Sequence, residues 1–154
     1  MSESSEKVII FSLNDIRYGV WVTQVLSIEK MQEMTRVPNA PDFVVGVMNL
    51  RGIIVPVIDL KQQFNMEQAE PTRHTRIMIV NVGEVMAGLI VDEAREVLDI
   101  NPETVDATPD IAGGLELEYI SGVAKKGDDL LVLLNLSKVL NKEEAEALKE
   151  IKAT

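Results

Sequence analysis

Short apolar runs, each closed by turn-forming residues, recur along this chain, and they limit it to a fold made of strands. The clearest case is residues 44–60, VVGVMNLRGIIVPVIDL, where the runs Val44–Leu50 and Ile53–Ile58 meet at Arg51-Gly52. Glycine at the second central position of a tight turn supplies the positive φ such turns need. Arg51 is then the one charge on an apolar hairpin, placed at its tip. Pro56 lacks a ladder donor, so the second strand is expected at a sheet edge or with a bulge there.

The same grammar holds on either side. Residues 8–13 (VIIFSL) and 17–22 (RYGVWV) read as strands around a short loop, Asn14-Asp15-Ile16. In the second run Tyr18, Val20 and Val22 share the face opposite Gly19 and Trp21, and Trp21 is expected in core packing. Thr23–Met34 fits either a helical turn, through Val25, Ile28 and Met31, or a further strand. Met31 and Met34 are expected to fill gaps in the core. Pro38 and Pro41 impose a bend before the central hairpin. After it, Asp59 and Gln62 have capping-box spacing, and Leu60 with Phe64 forms an apolar pair, which predicts a short helix over 60–65. A polar loop over 66–74 leads to a second hairpin, Arg76–Val82 and Val85–Val91, turning at Gly83-Glu84. Residues 92–100 continue extended, and 101–116 read as a long loop. Tyr119–Ala124 and Leu130–Leu134 form a third hairpin across residues 125–129. The chain closes in a helix capped by Asn141, with Glu144 completing the box and Ala145, Leu148 and Ile151 as a thin apolar stripe. Strands separated by turns, without alternating βα units, indicate an all-β barrel or sandwich with short helices.

An internal echo supports two similarly built halves. Shifting the chain by 76 residues (122 less 46) lays Gly46-Val47 on Gly122-Val123, and Val57-Ile58-Asp59-Leu60 on Leu133-Leu134-Asn135-Leu136. Arg51-Gly52 then falls opposite Gly127-Asp128. If the halves are structural twins, the hairpin does not require Arg51, and a specific role for it gains weight.

Composition narrows the chemistry. The 154 residues suit one domain or two small ones sharing a core, and the 46% hydrophobic and 26% charged contents are those of a globular protein. No apolar run approaches the ~20 residues of a membrane helix, and the polar start MSESSEK is not a signal peptide. The chain is expected in the cytoplasm. It has no cysteine, which removes disulfides and thiolate chemistry. A formal net charge of −10 opposes binding to nucleic-acid phosphates. The single histidine, His74, is expected in a solvated loop, and no serine elbow or phosphate loop is present. Glu116, Glu118, Asp128 and Asp129 are expected as solvated surface rather than a catalytic or metal-binding set. No catalytic residue, metal or cofactor is predicted. A binding module fits best; a small-ligand or enzymatic β-barrel is the alternative, and a self-associating scaffold subunit a third.

The stretch TRVPNAPDFVVGVMNLRGIIVPVIDL (35–60) resembles the signature of the CheW family, the bacterial chemotaxis coupling proteins. The likeness continues through VDEAREVLDI (91–100), EYISGVAK (118–125) and LNLSKVLN (134–141), and so covers about residues 7–142, with 143–154 left as a C-terminal helix. The module also occurs in the kinase CheA and, fused to a receiver, in CheV; neither extra portion is present here. The resemblance implies two SH3-like five-stranded barrels sharing a core and possibly exchanging strands. It implies a non-catalytic adaptor that couples CheA to the cytoplasmic tips of methyl-accepting receptors in arrays. Carried over by position, the receptor contact would involve Val25, Gly46, Asn49, Arg51 and Gly52. Kinase contact would use exposed apolar barrel edges whose side chains the sequence does not place. Ser27-Ile28-Glu29 departs from the acidic-first pattern of some relatives, so no role is carried onto Glu29.

Overall fold

The structure, a computed structural model, describes residues 6–152 except 39, 69, 83, 106–118, 127–128 and 141. The ten strands run β1 Glu6–Leu13, β2 Ile16–Trp21, β3 Val25–Lys30, β4 Val44–Leu50, β5 Ile53–Asp59, β6 Arg76–Val82, β7 Val85–Val91, β8 Glu93–Ile100, β9 Ile120–Lys126 and β10 Asp129–Leu134. Helix α1 is Leu60–Gln63 and α2 is Lys142–Lys152. The strands form two five-stranded sheets, ordered β8-β1-β2-β10-β9 and β3-β6-β7-β5-β4. The first barrel therefore takes its strands from both ends of the chain, and the second is built from the middle. The chain leaves the first barrel through a 3-10 turn at Val22–Gln24 and returns through one residue, Asp92, between β7 and β8.

Among the described residues, buried side chains fall into three clusters, and their positions explain why the apolar runs do not alternate. Val8 and Ile10 of β1 fill the first barrel with Leu131, Leu133, Ala124 and Ile100. Ile77 and Ile79 of β6 fill the second with Met48, Val55 and Val57. The intervening residues, Ile9, Phe11 and Leu13 on β1 and Met78, Val80 and Val82 on β6, point the other way into one core between the barrels. Such strands are buried on both faces, so both side-chain sets of the two-residue repeat must be apolar. Tyr18 stacks on Phe11 in this shared core, with ring centroids 5.9 Å apart. Helix α2 contributes Leu148, fully buried there, and Gln63 Nε2 of α1 donates to Glu144 Oε1 at 3.0 Å.

The echo in the sequence is an echo in space. Strands β4 and β5 map onto β9 and β10 at the 76-residue offset (120 less 44). The side chain of Asp59 caps α1 by accepting from the Lys61 amide, and that of Asn135 accepts in the same way from Ser137. Strands β1, β2 and β3 map onto β6, β7 and β8 at an offset of 69 (88 less 19): Gly19 lies beside Leu133 of β10, and Gly88 beside Val57 of β5, each in a parallel pairing. Both glycines are there for closeness. A Cβ would meet Val8 Cγ1 at 2.6 Å from Gly19, and Ile77 Cγ2 at 2.8 Å from Gly88.

Some local expectations are corrected and others hold. β5 is an interior strand and its register is regular at Pro56; the irregularity lies opposite, between Val44 and Gly46. Val47 faces Pro56, but its N–H and C=O both bond to Thr35, so the Val47–Pro56 pair exchanges no ladder bond. The missing N–H of Pro56 points away from β4, and pairing with β7 begins only at Val57. The first hairpin turns on two residues, Asn14 (φ 51°) and Asp15 (φ 69°), with Ile16 already in β2. The strand alternative holds for Val25–Lys30. Gln62 does not close a capping box, since its amide reaches the Asp42 carbonyl at 3.4 Å. Met31 and Met34 pack against the second barrel's interior and Trp21 against the first's. Expectations for Glu116, Glu118, Asp128 and the Asn141 cap lie outside the described residues.

Gly19→Ala and Gly88→Ala should each destabilise the protein by about 1–3 kcal/mol, the cost of overpacking; an unchanged urea midpoint would contradict the close-packing account. Burial also pushes the Tyr18 phenol above its ordinary 10.0. The unfolded chain ionises first as pH rises, so stability should fall above about pH 10. Denaturant melts across that range should show a smaller loss for Tyr18→Phe.

Candidate functional site

The tip of the β4–β5 hairpin is a two-residue turn in which both central residues have positive φ, Arg51 at 52° and Gly52 at 91°. Turns of this hand match the twist of the flanking strands. Glycine meets the requirement freely, but arginine does so against a steric cost of about 1–2 kcal/mol. Asn49 secures the geometry: its Oδ1 accepts from the Gly52 amide at 2.7 Å. The turn sets the Arg51 side chain on the tip, where it is 74% exposed.

The guanidinium is not free in solvent. Arg51 Nη2 lies 3.6 Å from Glu29 Oε2, an ion pair longer than a hydrogen bond. Glu29 is on β3, the opposite edge of the same sheet, and its side chain is only 19% exposed. Ser27 Oγ donates to the same carboxylate oxygen at 2.8 Å. The pair therefore spans the line along which the second barrel closes. Thr35 and Val47 exchange backbone hydrogen bonds across that line at 2.9 and 2.8 Å. Gly46 permits the approach, since a Cβ there would stand 2.9 Å from the Thr35 carbonyl oxygen.

The five positions picked out in the sequence thus divide. Asn49, Arg51 and Gly52 form the turn itself. Gly46 is buried on β4 at the closing seam, where its visible part is to let two backbones meet. Val25 is half-buried at the start of β3, packed on the shared core and paired with Val80. It stands four residues from Glu29, roughly 13 Å along the strand. Glu29 and Ser27 were missed as partners of the turn. Their alternation along β3 places them on one face, but nothing in the sequence brings β3 to the tip of another hairpin.

Apolar side chains are exposed around this region: Leu26 (50%) and Ile28 on β3, Val45 on β4, and Ile53 and Ile54 on β5. The first barrel exposes Ile16, Val97 and Leu130. His74 is exposed, as expected of a loop residue, and Arg73 Nε donates to its Nε2 at 3.4 Å. Among the described residues no group of three histidine or carboxylate side chains is placed to hold a metal ion. None of the helices described is long and apolar enough to cross a membrane.

The turn's energetics make a direct test. Arg51→Gly should raise stability by about 1 kcal/mol as the left-handed strain is relieved, since an exposed ion pair contributes only about 0–1 kcal/mol. Asn49→Ala should lower stability by about 1 kcal/mol through the lost bond to Gly52. A lowered melting temperature for Arg51→Gly would show the arginine to be structural.

Known proteins share this architecture and sequence. The chain is 36% identical over 148 residues to the chemotaxis protein CheW of Bacillus subtilis (strain 168), covering 94% of this chain and 93% of the relative. It is 34% identical over 139 residues to the chemotaxis protein CheW of Klebsiella aerogenes, covering 90% and 84%. The crystal structure of the scaffolding protein TtCheW from Thermoanaerobacter tengcongensis superposes with a TM-score of 0.82 at 31% identity, covering 93% of this chain and 92% of that one. The family model described as the CheW-like domain matches residues 7–144, so this chain belongs to the CheW-like domain family.

Proposed function

We propose that this protein is a non-catalytic chemotaxis adaptor that couples the histidine kinase CheA to the cytoplasmic tips of methyl-accepting receptors, working in the cytoplasm within receptor arrays. Similarity to CheW proteins along nearly the whole chain supports the adaptor role. The observation that carries the site is Arg51: a strained, exposed arginine at a turn that glycine would serve better. Asn49, Arg51 and Gly52 make the receptor contact, Gly46 holds the seam behind them, and Val25 borders it on β3. The domain is the span 7–142, and residues 143–154 are a C-terminal segment that carries most of α2.

The physical task is docking on two sides. A guanidinium offers five donors in a planar fork, suited to carboxylates or carbonyls at the tip of a receptor helix pair. An arriving carboxylate competes with Glu29 for that fork and meets little desolvation cost at so exposed a group. The exposed apolar side chains on the barrel edges supply contact area for the kinase, at roughly 25 cal/mol per Å² before association costs. A ligand-binding or enzymatic barrel is disfavoured, because the interior of each barrel is filled by its own side chains.

Arg51→Ala should weaken binding of a receptor signalling fragment about tenfold or more, the loss of a charge-assisted contact. Its melting temperature and its capture of CheA should stay near those of the parent. Unchanged receptor affinity in a pull-down titration would remove Arg51 from the site.

A further inference from the structure

Asp92 is the whole of the connection by which the chain passes from the second barrel back to the first. Both barrels grip it. From the first barrel, the Asn14 amide in the β1–β2 turn donates to Asp92 Oδ2 at 2.7 Å, and the Asp92 amide donates to the Ser12 carbonyl of β1 at 3.0 Å. From the second, Lys61 Nζ of α1 pairs with Asp92 Oδ1 at 2.8 Å and also donates to Asn14 Oδ1 at 3.2 Å. Asn14 Nδ2 in turn donates to the Glu67 carbonyl beyond α1 at 2.9 Å. The Lys61 side chain is 7% exposed, a position a lysine occupies only when paired.

The repeat shows that the fold does not need this arrangement. At the 76-residue offset Lys61 corresponds to Ser137, which is exposed, and at the 69-residue offset Asp92 corresponds to Thr23, also exposed. The other crossing, Val22–Gln24, carries no charged residue. Two crossings related by the internal repeat are thus built differently, and one alone carries a charge, half-buried and paired with a buried lysine. The apolar core between the barrels is non-directional, whereas a short ion pair with fixed hydrogen bonds selects one geometry.

We propose that Lys61, Asp92 and Asn14 form a clasp that sets the angle between the two barrels. They are positioning residues: they fix the relation between β3 with the Arg51 turn on one barrel and the β1–β2 hairpin on the other. The consequence for receptor binding rests on the function proposed above; the setting of the angle does not.

Because the chain has no cysteine, paired spin labels can be introduced cleanly, at Asn81→Cys on β6 and Lys125→Cys on β9, both exposed positions on different barrels. In the parent, pulsed electron resonance should give one narrow distance. In Asp92→Asn and in Lys61→Met the distribution should broaden and shift, with a lowered melting temperature. Lys61→Met/Asp92→Val removes both charges together, so it should recover much of the melting temperature yet keep the broadened distance. It also decides the matter should a single variant fail to fold. A double variant that regains the narrow distance along with its stability would overturn the clasp, as would single variants with the parent's distribution. A broadened distance with undiminished binding of a receptor fragment would uphold the clasp and show that the receptor contact lies on the second barrel alone.

Discussion

The core between the barrels is the constraint on which the rest of the structure depends. β1 and β6 each send one set of side chains into their own barrel and the other into the space shared with the neighbour. Over Val8–Leu13 and Ile77–Val80 neither face meets water, so neither barrel can shed the other without exposing Phe11, Tyr18, Met78 and Val80 together. Burial of this kind contributes about 1.5–3 kcal/mol for each large apolar side chain, and here it depends on both barrels being in place. The chain's exchange of strands follows the same logic, since the first barrel closes only when β8, β9 and β10 return to the N-terminal hairpin.

A molecule built twice from one pattern carries its own control. Wherever the two copies agree, as at the close-packed Gly19 and Gly88 or the caps Asp59 and Asn135, the residue serves the fold. Wherever they disagree at a matched position, the fold has shown that it can do without the exception. In sequence Arg51 is one such exception, opposite Gly127, and it holds a left-handed conformation at a steric cost of about 1–2 kcal/mol. Lys61 is another, buried where its counterpart Ser137 is exposed. Both place charge against the general tendency of the scaffold, one at a tip and one at a crossing.

The site itself is a device of the sheet's two edges. β3 and β4 stand at opposite ends of the strand order, yet curling brings Thr35 against Val47 and Glu29 toward Arg51. Gly46 makes the approach possible by having no side chain at the point of contact. Ser27 tethers Glu29 so that the guanidinium has a fixed neighbour, while its side chain stays largely exposed. An exposed arginine held over an anchored carboxylate keeps its fork oriented without satisfying it.

Local chemistry alone determined a good deal of this protein. The apolar runs and their turn residues specified strands, Gly52 marked the central turn, and Asp59 marked the start of a short helix. The echo between residues 46–60 and 122–136 revealed a duplicated build, and with it the oddness of Arg51. These features are legible because each is set by neighbours within a few residues. Tertiary structure alone decided which barrel each strand entered, since strands buried on both faces have no alternation from which to read a face. It also decided that Pro56 sits safely inside a sheet, because the direction of the missing donor depends on which neighbour pairs with which residue. The Glu29 partner of Arg51 and the Lys61–Asp92 pair escaped the sequence for the same reason. Each joins residues that are far apart in the chain, and charge carries no mark of its partner until the backbone brings the two together.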